Sequence, residues 1–395
     1  MAGALDGYRV LDLSRILSGP YCTMVLADFG AEVIKVERPG SGDDTRAWGP
    51  PFLAGESAYY LSINRNKRSI TIDLGQEAGR EIVYALARVS DVAIENFRPG
   101  TADRIGVGFE RLHQENPRLV YCSISGFGQD GPYRDRPGYD ALAQAMSGMM
   151  SITGDPDGPP TKHGMSIADI GAGMWAALAI TAALLARERT GQGQYIDVSL
   201  LDAQVSWLTY TAGSYFATGE NPERYGSAHP SIVPYQPFPT VDGFIMLAIG
   251  NDRLWQRFCD VAGRPELGAR PGFATSPERV IHREEVIAVV TEIMQGRTTG
   301  EWMRVLEEAG IPAGQINTVA QALTDPHVLA REMVVTLDHP TAGSVTTIGN
   351  PAKFSATPGG MRSAPPLLGQ HTDEILHSLG YAGSDIADLR EREVV

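Results

Sequence analysis

Short apolar runs alternate with helical patterns along the first 125 or so residues, and this alternation constrains the fold more than any other feature. The runs read YRVLDL, EVIKVE, SITIDL, DVAIEN and LVYCSI, and stretches such as YCTMVLADFG and REIVYALARVS lie between them. Strands joined through helix-length segments pair in parallel, because each connection must cross back over the sheet. A turn with a proline at Ser18-Gly19-Pro20 is typical of a helix start, and Gly30 is typical of its end. The sequence therefore predicts an α/β fold with a doubly wound, Rossmann-like parallel sheet.

The composition becomes loop-like between about residues 219 and 237, which predicts a domain boundary near 220–235. A long helix from Ile170 to Arg189 and a strand candidate, YIDVSL, precede it. The stretches GFIMLAIG, DRLWQRFCDVAG, REEVIAVVTEIMQ and TTGEWMRVLEEAGIP follow it and predict a smaller α+β unit. Two further strand candidates, EMVVTLDHP and SVTTIG, come after about Asp325.

The charge balance bears on the kind of partner. The 395 residues include 33 Lys and Arg against 47 Asp and Glu, which gives a net charge of −14. This balance argues against a surface dominated by phosphate contacts, so we expect no nucleic-acid partner. A small anionic ligand stays compatible with it, because a few arginines dominate the potential within a Debye length of about 8 Å.

Three features favour a cytoplasmic protein. Cys22, Cys122 and Cys259 all lie in apolar segments, as reduced thiols do. The amino terminus has no basic region followed by an apolar stretch. The apolar run WAALAITAALLA covers about three helical turns, short of the roughly 20 residues of a membrane span, so we expect no membrane association.

Two motif classes are weighed and set aside. Gly126, Gly128 and Gly131 have the spacing of a dinucleotide-binding loop, but GPYRDRPG, which follows, cannot start the helix that such a loop needs. An ordinary glycine turn is therefore predicted. The eight histidines are scattered without a metal-binding spacing, so no metal site is predicted. Walker-type loops and the Gly-x-Ser-x-Gly elbow are absent from the sequence.

The carboxylate of Asp169 lies between apolar residues where the long helix begins, in TKHGMSIADIGAGMW. It could simply cap that helix. Alternatively it could be a nucleophile toward an acyl group, because the helix N-terminus would keep it ionised and supply N–H donors. Gly171 and Gly173 are unfavourable inside a helix, and on this second interpretation they let a ligand approach the backbone.

Several longer motifs together resemble the class III coenzyme A transferases (CaiB/BaiF type). They include GYRVLDLSRILSGPYCTMVLADFGAEVIKVERPGSGDDTR, YYLSINRNKRSITIDL, DVAIENFRPG, RPGYDALAQAMSG, the stretch from ITGDPDGPP to IDVSLLDA, and PPLLGQHTDEIL. The resemblance runs from about residue 5 to the end. Within the family, GDDTRAWGPPF, SAYYLS, AHPSIVPYQPF and AIGND resemble the succinate–hydroxymethylglutarate type, which moves CoA between dicarboxylic acids.

The resemblance implies an activity and an assembly. Asp169 would attack an acyl-CoA, succinyl-CoA being the expected donor, and would carry a mixed anhydride and then an aspartyl-CoA thioester. A dicarboxylic acid would be the acceptor, and no tightly bound cofactor would be needed. The family also implies an interlocked homodimer. Each chain would have a large CoA-binding domain of residues 1–224, completed by residues 326–395, and a small domain of residues 225–325.

The resemblance further implies site residues. Arg38 and Arg104 would meet the nucleotide and phosphates of CoA. The adenine and pantetheine path would be lined by Ile16, Leu17, Ile72, Asn96 and Phe97. Near the thioester would be Tyr139 and Asp140, and on the acyl side Trp48 and Tyr59. A distal carboxylate would need an arginine, for which Arg46, Arg65 and Arg136 are unranked candidates.

Three alternatives are weaker. The α-methylacyl-CoA racemases of this family have a histidine where Tyr139 stands, so proton shuttling is not favoured. Formyl-CoA transferase has a glutamine where Leu17 stands and a glycine-rich lid, so oxalate and formate are poor substrate candidates. A CoA-binding protein without catalysis would have no need for Asp169.

Overall fold

The computed structural model describes residues 2–395. Within these residues the strands, in chain order, are β1 (Arg9–Asp12), β2 (Glu32–Glu37), β3 (Phe52–Leu53), β4 (Glu56–Ser57), β5 (Lys67–Thr71), β6 (Val92–Glu95), β7 (Val120–Ser125), β8 (Tyr195–Ser199), β9 (Tyr235–Pro239), β10 (Phe244–Ala248), β11 (Ala313–Gln315), β12 (Val334–His339) and β13 (Gly343–Ile348).

The α-helices of the same residues are α1 (Ser18–Asp28), α2 (Ala58–Ile63), α3 (Glu77–Arg88), α4 (Thr101–Arg104), α5 (Phe109–Glu115), α6 (Asp140–Met146), α7 (Ile167–Thr190), α8 (Leu200–Ser206), α9 (Thr209–Thr218), α10 (Asp252–Val261), α11 (Ser276–Ile281), α12 (Arg283–Met294), α13 (Thr299–Glu308), α14 (Val319–Thr324), α15 (Pro326–Ala330), α16 (Thr372–Ser378) and α17 (Gly383–Glu391).

Six strands form one sheet in the order β5-β2-β1-β6-β7-β8, and every neighbouring pair is parallel. The five runs predicted from the first 125 residues are β1, β2, β5, β6 and β7, and YIDVS is β8. The predicted α/β fold with a parallel sheet is therefore confirmed. The strand order reverses between β1 and β6, and open α/β sheets bind ligands outside the carboxyl ends of strands at such a reversal.

Alternate residues of the strands supply two apolar layers, because successive side chains of a strand point to opposite faces. On one face Val10, Val33 and Val92 pack with Leu26 of α1 and Ile180 of α7. On the other face the neighbouring strand positions pack with α3 and the C-terminal helices, through Leu11, Ile34, Ile70, Ile82, Leu86, Ile375 and Leu389. Helices thus cover both faces of the sheet.

Helix α7 runs for 24 residues, longer than the apolar run suggested. By length and composition alone it could cross a membrane, so the prediction that it is too short is wrong. Half of its most apolar stretch is buried within the fold, where Ala168, Ala172, Ala176 and Ile180 join the layer against the sheet. A core helix of a parallel sheet meets the same compositional test as a membrane span.

The glycines of α7 are required by helix packing. A Cβ at Gly173 would lie 2.6 Å from the carbonyl oxygen of Ser18, and a Cβ at Gly171 would lie 2.7 Å from the Trp207 ring. Both glycines are buried. The interpretation that they let a ligand approach the backbone is therefore wrong, since protein atoms occupy that space.

We expect Gly173→Ala to lower the free energy of unfolding by about 1–3 kcal/mol, because the methyl group meets backbone rather than a movable side chain. Gly300→Ala, at an exposed position of α13 with no atom near the added Cβ, should instead raise it by up to about 1 kcal/mol through helix propensity. Urea unfolding of the two variants measures both signs. Equal effects at the two positions would refute the packing role of Gly173.

The chain divides into two compact units. The first comprises the residues up to Met149 with Lys162–Thr218 and Pro326–Val395, and the second comprises Met150–Thr161 with Gly219–Asp325. The second unit has an antiparallel sheet in the order β11-β10-β9 and a core that includes Trp255, Phe258 and Trp302. The predicted strands EMVVTLDHP and SVTTIG form the antiparallel pair β12 and β13 in the first unit.

This grouping differs from the predicted domain ranges at two places. The second unit begins at Gly219 rather than 225, and it also takes in Met150–Thr161. The cause lies in long-range hydrogen bonds. The Arg224 guanidinium donates to the carbonyl oxygens of Asp155, Pro156 and Gly158 at 3.1, 3.2 and 2.6 Å. A composition shift cannot show a contact between segments 66 to 69 residues apart.

Candidate active site

The carboxyl edge of the parallel sheet collects most of the residues singled out from sequence. Arg38 follows β2, Ile72 follows β5, and Asn96 and Phe97 follow β6. Ile16 lies in the connection between β1 and α1. Because the strands are parallel, their ends meet at one edge, so these positions share a site through topology.

The connection at Ile16 is held in an uncommon conformation. Ile16 has a φ of +70°, a region that β-branched residues rarely adopt. Its N–H donates to both carboxylate oxygens of Asp43 at 3.2 Å. The side chain of Asn96 brackets the preceding residue, because its Oδ1 accepts from the Arg15 N–H at 2.8 Å and its Nδ2 donates to the Arg15 carbonyl at 2.7 Å. Strain of this kind persists where neighbours fix the backbone.

Buried charges lie beneath this connection. Lys35 and Asp43 form an ion pair at 2.8 Å, with both side chains 1% exposed. Burial alone would raise the pKa of Asp43, but the Lys35 ammonium and the Thr45 hydrogen bonds outweigh it and lower the pKa to about 2. Lys67 pairs with Asp12 at 3.2 Å, and burial lowers the pKa of Lys67 to about 8. These pairs fix the ends of β1 and β2 under the site.

Asp169 lies in the first turn of α7 but does not cap it. The helix begins after Ser166, and the free N–H groups of its first turn are capped from another helix. Asp140 Oδ1 accepts from the Ala168 N–H at 2.8 Å and from the Asp169 N–H at 3.4 Å. The capping interpretation of Asp169 is therefore wrong, and Asp140 has that role.

The pKa of Asp169 is raised to about 7, first by burial of the carboxyl and second by the negative charge of Asp140. Burial and the charge of Asp140 therefore oppose the ionisation of Asp169 that the helix N-terminus was expected to favour. Raised carboxyl pKa values are typical of functional sites. A half-buried, weakly solvated carboxylate is also a more reactive nucleophile than one in water.

Two adjoining cavities extend along the sheet edge. The first, of about 150 Å³, is lined by Asp169 together with Ile16, Leu17, Asn96, Phe97 and Tyr139. The second, of about 310 Å³, is lined by Arg38, Ile72 and Phe97. Arg15 and Phe97 line both cavities, so the path from the carboxylate of Asp169 leads past them toward the guanidinium of Arg38.

Trp48 and Tyr59 form an edge-on aromatic pair with ring centroids 5.2 Å apart. Tyr59 packs with Ile16, Leu17 and Ile170, at the start of α7. Burial, and then the negative charge of nearby Asp169, raises the pKa of Tyr59 to about 12. Tyr59 therefore lies near the carboxylate of Asp169, and Trp48 packs against Tyr59.

The loop with dinucleotide-like spacing is a turn. No helix starts there, and its first glycine, Gly126, crosses Gly138 so closely that a Cβ on either would lie within 2.4 Å of the other's Cα. This contact positions Tyr139 at the cavity of Asp169. In residues 2–395 no group of three or more His, Cys, Asp or Glu side chains is placed to hold a metal ion.

Comparison with known proteins identifies the family. The sequence model of CoA-transferase family III matches residues 5–372. This chain belongs to CoA-transferase family III. Human succinyl-CoA:glutarate CoA-transferase is 43% identical over 392 residues, which cover 99% of this chain and 90% of the human protein. Succinate–glutarate CoA-transferase of Agrobacterium fabrum is 43% identical over 381 residues, which cover 95% of each protein.

A solved structure supports the same assignment for this CoA-transferase. The crystal structure of a CAIB/BAIF family protein from Brucella suis is 42% identical, covers 96% of this chain and 100% of its own chain, and superposes with a TM-score of 0.86. The resemblance to class III CoA-transferases, near the dicarboxylate type, is confirmed. The chain is a CoA-transferase by family.

Four predicted site residues of the CoA-transferase line neither of the two cavities, namely Arg104, Asp140, Trp48 and Tyr59. Arg104 is exposed at the end of α4, and its guanidinium donates to the Thr101 hydroxyl at 3.4 Å. Asp140 faces the start of α7 and accepts from Gln144 Nε2 at 2.7 Å through its other oxygen. Ile72 lines only the cavity of Arg38. Asp140 therefore positions α7 in this structure.

The structure also separates the arginine candidates for a distal carboxylate. Arg46 is bound to Glu37, and Arg65 is bound to Asp28, both at 2.7 Å and largely buried. Arg136 lines the cavity of Asp169, with its guanidinium 3.8 Å from the centroid of the Tyr133 ring. Arg15 and Arg98 line the same cavity, and sequence reasoning missed both. The sequence could have indicated them, because Arg15 directly precedes Ile16 and Arg98 directly follows Phe97, two predicted site residues.

Proposed function

We propose that this CoA-transferase moves CoA from succinyl-CoA to a dicarboxylic acid of glutarate type, with Asp169 as the covalent carrier. The observation that carries the proposal is the half-buried carboxylate of Asp169 in the cavity between the ends of β1 and β6. The two curated relatives described above, each 43% identical, act on succinate or succinyl-CoA and glutarate, which supports the substrate class. The proposed enzyme needs no tightly bound cofactor.

The reaction balances with Asp169 alone. A carboxylate oxygen of Asp169 attacks the thioester carbonyl, the C–S bond breaks, and a mixed anhydride and CoA thiolate form. The thiolate then attacks the aspartyl carbonyl, which gives an aspartyl-CoA thioester and releases the donor acid. The acceptor carboxylate attacks that thioester, again forming an anhydride and the thiolate. The thiolate finally attacks the acceptor's acyl carbonyl, which releases the new acyl-CoA and restores Asp169.

The cavity linings give the substrate an orientation. Guanidinium groups bind phosphates through charge-assisted hydrogen bonds, so Arg38 and Arg15 would bind the nucleotide end of CoA. Phe97 lies between the two cavities and would contact the pantetheine arm. The acyl group would then lie beside Asp169, against Tyr59. A guanidinium at Arg136 would pair with the distal carboxylate of the acceptor.

An acceptor screen tests the substrate class. Succinyl-CoA is offered with glutarate and, as the matched control, with valerate, which has the same chain length and one carboxylate. The proposal expects glutaryl-CoA formation at least about tenfold faster than valeryl-CoA formation, since a lost ion pair at a binding site costs about 1.4 kcal/mol or more. Equal rates with the two acids would contradict it.

The distal-carboxylate role of Arg136 gives a separate prediction. Arg136→Met should raise the KM for glutarate about tenfold or more. The inhibition constant of free CoA, which reports binding of the nucleotide and pantetheine, should stay unchanged. Arg65→Met is the matched control for loss of a guanidinium, and in folded enzyme it should not change acceptor preference. A shift in CoA inhibition with unchanged glutarate KM would assign Arg136 to the nucleotide instead.

The raised pKa of Asp169 predicts the pH dependence of acylation. Attack requires the ionised carboxylate, so the single-turnover rate should rise as the pH passes through about 7. Asp140→Asn removes the neighbouring negative charge and should move this rise to lower pH. The measurement is rapid-quench acylation between pH 5.5 and 8.5. A rate that is flat over that range would contradict the raised pKa of Asp169. A shift of the rise to higher pH in the variant would contradict the role of Asp140.

We also propose a homodimer, which for this family is interlocked, and a cytoplasmic location. Helix α7 exposes Met174, Trp175, Leu178 and Leu185, the last 66% exposed, and α9 exposes Phe216. Exposed apolar sets of this size are typical of subunit interfaces. The first unit would be the CoA-binding domain and the second the small domain. Light scattering at micromolar concentration should give twice the 42.5 kDa chain mass.

A further inference from the structure

A third cavity, of about 350 Å³, lies at the end of β6 and is lined by Glu95, the last residue of that strand. Its polar wall includes Glu95, Ser123 and Gln129, and its aromatic wall is formed by Phe109, Tyr121 and Tyr195. It shares only Arg98 with the cavity of Asp169. Nothing in the transfer reaction uses these residues.

Glu95 is the unusual member of this cavity. Its side chain is buried, with 3% exposure, and it accepts from the Phe97 N–H at 2.6 Å and from the Ser123 hydroxyl. In residues 2–395 no Lys, Arg or His lies within ion-pair distance of it. Burial raises the pKa of Glu95 to about 7, against the lowering effect of those two hydrogen bonds. A cation bound beside Glu95 would favour its ionised form, because buried carboxylates are normally paired with a cation.

The rest of the lining suits a cation. The Phe109 and Tyr195 rings have centroids 5.2 Å apart, and Tyr121 stacks on Tyr195 at 5.9 Å. Aromatic rings attract cations through their negative faces. Asp103 and Glu110 add two carboxylates, against the single guanidinium of Arg98. A Cβ at position 108 would lie 1.8 Å from Asp103 Oδ1, so only glycine leaves room for that carboxylate.

A hydrogen-bond donor is also left without a partner. The side-chain Nε2 of Gln129 is buried and has no acceptor, while its backbone N–H donates to Asp197 at 2.8 Å. A buried amide donor without an acceptor is unfavourable by about 1–3 kcal/mol. A ligand with an oxygen acceptor would relieve this.

We propose that this cavity binds a small organic ammonium ion that carries a hydroxyl group. The ammonium group lies between Glu95 and the rings of Phe109 and Tyr195, and the hydroxyl oxygen accepts from Gln129 Nε2. The site is separate from the covalent chemistry of Asp169. Its occupant contacts Glu95, which holds the Phe97 N–H at the edge of the CoA site.

Calorimetric titration of the full-length protein with choline tests this proposal. The matched ligand is 3,3-dimethylbutan-1-ol, which has the same shape with a neutral carbon in place of the nitrogen. We expect choline to bind with a Kd in the millimolar range or tighter, and the neutral alcohol to bind at least tenfold more weakly. Equal binding of the two, or no binding of choline, would overturn the proposal.

Variants locate the bound ion. Glu95→Gln keeps the shape of the side chain and should weaken choline binding at least tenfold, whereas Glu284→Gln, on the exposed face of α12, should leave it unchanged. If thermal melting shows that Glu95→Gln does not fold, Tyr195→Leu replaces it as the test variant, and we expect the same loss of choline affinity, at least tenfold. Unchanged binding in the folded cavity variant would overturn the assignment. Because no acyl-CoA is present, the result is independent of the proposed transfer activity.

Discussion

Asp169→Asn is expected to lower kcat for CoA transfer by a factor on the order of 10⁴ or more, because within residues 2–395 Asp169 supplies the one carboxylate that lines the cavity and an amide cannot form the anhydride. Affinity for CoA should stay within a few fold, since the Arg38 end of the site lies in the neighbouring cavity. Transfer is followed by chromatography of the acyl-CoA products, and CoA affinity by calorimetry. Retained transfer would refute the covalent role.

The thermal stability of Asp169→Asn shows whether a loss of activity comes from misfolding, because the change in Tm is expected to depend on pH in a definite direction. In the folded protein the pKa of Asp169 is about 7, above the usual value of 3.8. The unfolded chain therefore ionises first, and stability falls as the pH rises from about 4 to 7. Asp169→Asn removes this effect, so its Tm should exceed that of the wild type at pH 8 and match it near pH 3.5. A lower Tm at pH 8 would mean that loss of activity reflects misfolding.

The second large effect concerns the buried ion pair beneath the site. Asp43→Ala should lower the free energy of unfolding by about 3–5 kcal/mol, because the ammonium of Lys35 would lose its closest counter-charge in a buried place. The Ile16 and Thr45 N–H groups would lose their acceptor as well. Asp44 is the matched control. It pairs with Arg15 at 3.2 Å with both side chains 48% exposed, so Asp44→Ala should lower stability by less than about 1 kcal/mol.

Chemical denaturation of the two neighbouring variants, at one pH and one protein concentration, gives the comparison. Similar losses would show that burial of the Lys35–Asp43 pair does not stabilise the fold. We also expect folded Asp43→Ala to bind CoA more weakly, because the +70° φ of Ile16 would lose the hydrogen bonds that hold it. Lys35→Met with Asp43→Leu replaces both charges and should recover stability but not this loop geometry.

The sheet could be predicted from sequence because its strands are short, β-branched runs separated by helix-length segments. The strand ends followed from the same pattern, whereas Arg38, Asn96 and Phe97 were assigned through the family resemblance, and the structure places them directly after β2 and β6. Periodicity alone could not assign a role to Asp169, because a carboxylate at the start of a helix can be either a cap or a nucleophile. The longer motifs of the family separated the two interpretations.

Other features depend on contacts between distant segments, which local patterns do not encode. Asp140 caps α7 across 28 residues, and this left Asp169 free of that role. Gly171 and Gly173 were interpreted as space for a ligand, whereas Trp207 and Ser18 occupy that space. The arginine candidates Arg46 and Arg65 could be separated from Arg136 only when their buried partners, Glu37 and Asp28, became visible.

The covalent role of Asp169 is tested most directly by mass spectrometry of the enzyme after incubation with succinyl-CoA in the absence of an acceptor. Borohydride or hydroxylamine traps the acyl-enzyme or the aspartyl-CoA thioester, and peptide mapping locates the change. We predict modification of Asp169 in the wild type and none in Asp169→Asn. An unmodified Asp169 in an enzyme that still forms glutaryl-CoA from glutarate would contradict the proposed mechanism.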